Sequence, residues 1–178
     1  LSGCLSQKQY GGLMVATLII IRGNSASGKS TIAKQLQAEL GENTLLLSQD
    51  YLRREMLGTK DGENTTTIPL LINLLNYGYH NCSYIILEGI LRSDWYTPVW
   101  KHILKHNPNN TYAYYYDLSF QETVKRHSTR LKSLEFGEDS LARWWLEKDF
   151  LKEIPEKILT KAMSLEDVKK LIMTDVLP

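Results

Sequence analysis

Gly23-Asn24-Ser25-Ala26-Ser27-Gly28-Lys29-Ser30 places glycine, lysine and a hydroxyl at the spacing G-x-x-x-x-G-K-[ST], a pattern that binds a phosphate chain. Each fixed position has a chemical reason. A polyphosphate carries several negative charges and needs donors that approach without side-chain bulk. Glycines let the backbone bend into a concave nest of N–H groups. A helix opening near Lys29 adds unpaired N-terminal N–H groups and the positive end of its dipole. Lys29 is expected to reach the β- and γ-phosphates of ATP and Ser30 to coordinate Mg2+, with Thr31 continuing the ATP-binding turn.

Other residues have the chemistry to deliver something to that phosphate. Asp50 follows an apolar run within Ser48-Gln49-Asp50-Tyr51-Leu52-Arg53-Arg54. There it can orient an acceptor hydroxyl and take its proton, or simply cap a helix. Arg53, three residues on and so on the same helical face, suits an acceptor or a phosphate, because a guanidinium forks onto oxygen pairs. Glu88 ends Ile85-Ile86-Leu87-Glu88-Gly89, where an acid can hold a magnesium water, contact the acceptor or cap a loop. Arg126 and Arg130 are four apart within Glu122 to Arg130 and share a helical face. Charge that develops on a transferring phosphoryl group is stabilised by such arginines. The mixed stretch Glu135-Phe136-Gly137-Glu138-Asp139 that follows suits a closing lid, placed at about residues 119–150. Trp144 and Trp145 are read as lid or core packing rather than a base-stacking platform.

These residues need elements to hold them. The chain alternates strand and helix patterns from end to end, the mark of an α/β fold with a mostly parallel sheet. Strands are expected at Thr17–Ile21, Thr44–Leu47, Tyr84–Leu87, Tyr112–Tyr116 and Lys157–Thr160. The first is a run of β-branched residues broken only by Leu18, as for a strand buried on both faces. A helix with Ile32, Ala33, Leu36 and Leu40 on one side should stop at Gly41. Further helices are expected over Tyr51–Leu57, from Pro69, over Asp94–His106, from a Ser119/Glu122 capping box, and from Ser164 and Asp167. The polar stretch Thr59–Thr67 reads as a loop.

With 178 residues, 43% hydrophobic and 23% charged, the chain has the composition of one ordinary globular domain. A net charge of +1 gives no basic excess for a polyanionic partner, so nucleic acid is not the expected acceptor. Residues 1–13 carry no periodicity and are read as a leader, with residues 14–178 as the domain. The apolar run Leu13 to Ile21 is too short to span a bilayer. Two cysteines without paired spacing suggest the cytoplasm and no zinc site.

Taken together, the glycine loop, the Asp50–Arg53 segment and the Arg126–Arg130 helix resemble P-loop kinases of the nucleoside and nucleotide kinase-like group. The likeness is to the polynucleotide kinase, zeta-toxin and antibiotic-phosphotransferase branch. It implies a three-layer P-loop NTPase fold with a five-stranded parallel sheet in the order 2-3-1-4-5 and a helical lid. It also implies MgATP as donor, Asp50 as base and Arg126 with Arg130 as charge stabilisers. The expected function is transfer of the γ-phosphate to a hydroxyl of a small molecule such as a nucleoside, metabolite or antibiotic. A polynucleotide or toxin-type kinase and a nucleotide-dependent ATPase or switch stay open as alternatives. The sequence leaves oligomeric state open.

Overall fold

The computed structural model describes residues 16–128 and 138–177. The expected leader and Arg130 therefore lie outside the described residues. Five strands, β1 (Thr17–Gly23), β2 (Thr44–Ser48), β3 (Tyr84–Gly89), β4 (Thr111–Tyr116) and β5 (Glu156–Leu159), form one sheet in the order β2-β3-β1-β4-β5. Every pairing is parallel. The helices are α1 (Lys29–Leu40), a short α2 (Gln49–Tyr51) that widens into a π-turn over Leu52–Met56, and α3 (Thr67–Asn81). They are followed by α4 (Thr97–His106), α5 (Phe120–Ser128), α6 (Glu138–Trp144) and α7 (Leu165–Val176).

The continuous apolar strands explain the three layers. Leu18 and Ile20 of β1 face α3 and α4, packing with Leu71, Leu75, Val99 and Ile103. Ile19 and Ile21 face the other way, onto Ile32 and Leu36 of α1 and Val168 and Ile172 of α7. Because side chains alternate across a strand, β1 must be apolar at each position from Leu18 to Ile21 to serve both layers. The register sets Ile21 beside Glu88 and Ser48 beside Glu88, which brings the ends of β1, β2 and β3 to one edge. Ligands bind along that carboxyl edge in open α/β sheets.

The helix starts shift from their expected positions for local reasons. Helix α4 begins at Thr97 rather than Asp94, because the ring of Pro98 would clash with the carbonyl of residue 94 in a continuous helix. Helix α3 begins at Thr67, before Pro69, whose missing N–H falls in a first turn that has no intrahelical acceptors anyway. The capping box at α7 is complete, with Ser164 Oγ accepting from Asp167 N at 3.1 Å and Asp167 Oδ2 accepting from Ser164 N at 2.9 Å. At α5 only half of it forms. Ser119 Oγ accepts from Glu122 N at 3.3 Å, but the Glu122 carboxylate accepts from Arg126 instead.

Helix α3 meets the sheet through Gly78. A Cβ there would lie 2.5 Å from Ile85 Cδ1 and 3.0 Å from Leu45 Cδ2, so the helix rides on β2 and β3 with no spare space. Overpacking of this kind costs about 1–3 kcal/mol, partly offset by the better helix propensity of alanine. Gly78→Ala should therefore lower the urea midpoint at unchanged slope. A midpoint equal to or above that of the parent protein would show that this contact relaxes freely.

Candidate active site

The loop after β1 has the strained geometry a phosphate nest requires. Gly23 has φ 139°, Gly28 φ 110° and Ala26 φ 62°, all in the left-handed half of backbone space. Gly23 is also sterically fixed, since a Cβ there would lie 2.9 Å from Tyr116 Cβ of β4. Helix α1 starts at Lys29, as expected, and no side chain caps its N-terminus. Buried Lys29 folds back over the loop, its Nζ donating to Asn24 O at 2.7 Å and Ser27 Oγ at 3.3 Å. An uncapped helix start beside a lysine ammonium fits a phosphate, which supplies the acceptors both groups seek.

Buried Glu88 joins the loop to the neighbouring strand. Its Oε1 accepts from Ser30 Oγ at 3.1 Å and from Ser48 Oγ at 2.5 Å. A hydroxyl and a carboxylate in contact at the first turn of α1 are oxygen ligands suited to Mg2+ or its waters. The residues present fit that ion.

Asp50 is the second residue of α2, so the N-cap position belongs to Ser48. Its Oδ1 accepts from Arg53 Nη2 at 2.8 Å and Arg54 Nε at 2.7 Å. Residues three and four ahead on a helix lie over the same face, and the π-turn carries both arginines. Burial opposes ionisation of the Asp50 carboxyl, but Arg54 and Arg53 together outweigh it and hold the group below its ordinary value. Arg54→Gln removes the stronger of these attractions, so the Asp50 midpoint, followed by 13C NMR of the carboxyl, should move up. An unmoved midpoint would mean the guanidinium does not hold it.

These residues meet in one cavity of about 760 Å3, whose wall includes Ser25, Ala26 and Gly28 of the loop. Lys29, Ser30 and Thr31 of α1 also line it, as do Asp50 of α2, Arg53 of the π-turn and Glu88 of β3. Helix α5 closes over the loop through Arg126, whose Nη1 donates to Ser27 O at 3.0 Å while Nε donates to Glu122 at 2.7 Å. Buried His127 also faces the cavity.

Several contacts were not legible in the sequence. The amide of Asn24 is bound at both ends by Leu146, donating to its carbonyl at 2.7 Å and accepting from its N–H at 2.9 Å. This ties the phosphate loop to the segment after α6. Trp145 there packs edge-on against Phe120 of α5 at 5.3 Å, whereas Trp144 is exposed and opens onto the cavity. A second cavity of about 540 Å3 shares Trp145 and Leu146 with the first and is lined also by Asn24, Phe120 and Lys161. Across the first cavity, Gln49 Nε2 donates to Asp61 Oδ2 at 3.0 Å and Tyr96 Oη to Asp61 Oδ1 at 2.7 Å. Two buried neutral groups thus pin the polar loop after α2. Only proximity in the fold could reveal these pairs, because their members are up to 122 residues apart.

A family profile described as "AAA domain" matches residues 18–106, half of the chain, from β1 through α4. The chain belongs to the AAA-domain family. No curated protein matches this AAA-domain sequence. Solved structures do resemble it. A gluconokinase from Sinorhizobium meliloti aligns with TM-score 0.65 at 14% identity, covering 93% of each chain. The APS kinase of Mycobacterium tuberculosis, solved with AMPPNP and APS, aligns with TM-score 0.62 at 16% identity, covering 92% of this chain and 98% of that one. A Deinococcus radiodurans tunicamycin resistance protein aligns with TM-score 0.59 at 16% identity over 91% and 96%. At such identities the likeness is one of fold, and it bears out the P-loop kinase-type architecture and the sheet order. None of this singles out the polynucleotide kinase and zeta-toxin branch. No helix among the described residues is long and apolar enough to cross a membrane.

Proposed function

We propose that this AAA-domain protein is an ATP-dependent kinase that transfers the γ-phosphoryl group to a hydroxyl of a small molecule. The observation that carries the reading is the single cavity in which the carboxylate of Asp50 and the phosphate-loop residues Lys29 and Ser30 face the same space. MgATP supplies the phosphoryl group and the metal charge when bound. The loop from Gly23 to Thr31 holds the phosphates, and Lys29 exchanges its contacts with Asn24 O and Ser27 Oγ for phosphate oxygens. Ser30 and Glu88 are the metal-side pair. The second cavity, lined by Asn24, Phe120 and Trp145, would receive the adenine ring.

Asp50 accepts the acceptor's hydroxyl proton as the new O–P bond forms, the bond from Pγ to the bridging oxygen breaks and ADP leaves. Its depressed pKa makes it a weak base, which suits a loose transition state where the proton leaves late and orientation matters most. Arg53 holds Asp50 in place and faces the acceptor. Arg126, already on the loop carbonyl of Ser27, spreads charge off the γ-phosphoryl oxygens. Arg130 is assigned the same role from its sequence position alone. The near-neutral chain argues for a small acceptor rather than a nucleic acid, and a cytoplasmic setting accords with the cysteine pattern.

Mass spectrometry of a panel of hydroxyl compounds incubated with MgATP tests the proposal. The panel holds nucleosides, sugars, sugar acids, amino-sugar antibiotics and a 5′-hydroxyl oligonucleotide. A phosphorylated product that needs Lys29 supports it. Phosphate released to water alone, with no acceptor product, moves the assignment to an ATPase or switch.

A further inference from the structure

The cavity is more basic than the chain, whose net charge is only +1. Beside Lys29 of the phosphate loop, Arg53, Arg54, Lys60, Arg92 and Arg143 line it, against the carboxylates of Asp50, Asp61 and Glu88. The carboxylates that line the cavity match only part of this charge. Arg53 and Arg54 share one oxygen, Asp50 Oδ1, so two guanidinium groups divide one negative charge. Asp61 is held by neutral donors, Tyr96 Oη, Gln49 Nε2 and the Gly62 N–H. Arg143 donates to a hydroxyl, Ser140 Oγ, at 3.0 Å. Lys60 is exposed and makes no salt bridge among the described residues.

Arg92 is the most ordered of the set that lies outside the transfer chemistry. Its guanidinium stacks 4.0 Å from the Trp95 ring centroid, and Asp94 grips its Nε at 3.0 Å and Nη2 at 2.8 Å. Asp94 does not line the cavity, so it orients the arginine without filling the place of a ligand. A stacked, gripped guanidinium loses little freedom on binding an oxyanion. Like charges gathered in one cleft repel one another until an anion enters.

We infer that the acceptor is itself an anion: a small hydroxylated molecule carrying a carboxylate or phosphate ester, read by Arg92 and Lys60 while its hydroxyl faces Asp50. This rests on the kinase reading for the hydroxyl but not for the anion site, and two measurements separate them. The first blocks the phosphate loop with a magnesium complex of a non-hydrolysable ATP analogue. Inorganic phosphate, sulfate and acetate are then titrated while the fluorescence of Trp95 and Trp144, which line the cavity, is followed. A saturable change that weakens by about 10-fold or more in Arg92→Gln/Lys60→Gln is expected, from the usual strength of charge-assisted contacts. Phosphate or sulfate acting better than acetate points to a phosphate ester, and the reverse to a carboxylate. No saturable change with any anion, or one untouched by the double substitution, overturns the inference.

The second measurement compares transfer to matched pairs, ribose with ribose 5-phosphate and glycerol with glycerate. The charged member should be favoured by about 10- to 100-fold in kcat/KM, and Arg92→Gln/Lys60→Gln should shrink that advantage through KM. Neutral members used equally well overturn the inference. Anion binding in the first measurement with no transfer in the second upholds the anion site and counts against the kinase reading instead.

Discussion

Asp50→Asn is expected to abolish most phosphoryl transfer, lowering kcat by about 10²- to 10⁴-fold, while ATP affinity changes little. The amide keeps the shape of the carboxylate but can neither take the hydroxyl proton nor hold Arg53 and Arg54 by charge. Stability should hardly change. Asp50 is 43% exposed, and exposed ion pairs contribute about 0–1 kcal/mol. The split is the useful part. A general fall in ATP binding or melting temperature would make Asp50 a scaffold residue, whereas a loss confined to kcat places it at the reacting oxygen. Single-turnover kinetics with saturating MgATP, beside calorimetric ATP binding, reads both. Activity within a few-fold of the parent protein would remove Asp50 from the mechanism.

Arg22→Met should destabilise the fold by about 3–5 kcal/mol, the usual effect of breaking a buried ion pair from one side. Arg22 is fully buried at the end of β1. Its Nη1 donates to Glu156 Oε1 at 2.9 Å and to Asp149 O at 2.9 Å, Nη2 to Asp149 Oδ2 at 2.8 Å, and Nε to Leu91 O at 3.0 Å. Trp100 and Tyr115 flank the guanidinium, 5.4 and 5.6 Å from its centre. Burial already pushes the Glu156 carboxyl above its ordinary value despite the attraction of Arg22. Without the arginine that carboxylate is stranded, so most of the loss should come from the orphaned charge rather than from the bond itself. The double variant Arg22→Met/Glu156→Met should then regain much of the lost stability in urea unfolding. A double variant as unstable as the sum of the two single variants would mean that the pair does not act as a unit.

The two sites are linked by the chain segment they hold. Arg22 fixes Asp149 just after the Trp144–Leu146 stretch, and Asn24, two residues beyond Arg22, fixes Leu146 itself. The start of the phosphate loop and the segment after α6 are thus joined by two residues that flank Gly23 at the end of β1. Loss of Arg22 should loosen the wall shared by the two cavities as well as the core.

What the sequence by itself determined was whatever depends on near neighbours. Gly23, Gly28, Lys29 and Ser30 announce a phosphate loop because its backbone nest is made within eight residues. The β-branched run of β1 announces burial on both faces, and the Asp50–Arg53–Arg54 contacts follow from helical spacing. The sheet order came through resemblance to a family, since periodicity says nothing about which strands adjoin. Small shifts, such as α4 beginning at Thr97, were settled by a single proline ring.

Tertiary structure alone decided the rest. Glu88 had several plausible roles in the sequence, and only the register of β1, β2 and β3 sets it against Ser30 and Ser48. Asp61 looked like ordinary loop polarity until Gln49 and Tyr96 were seen to hold it. Arg22 lies one residue past the strand expected at Thr17–Ile21, and a buried charge there must find partners, which lie 127 and 134 residues away. Arg92, Lys60 and Arg143 come from separate stretches of a nearly neutral chain, so no local window shows their convergence. The division follows from the range of the forces involved. Backbone geometry and helical spacing act over a few residues and leave local traces. Burial, ion pairing and the charge of a cavity are properties of space, and they exist only once the chain has closed upon itself.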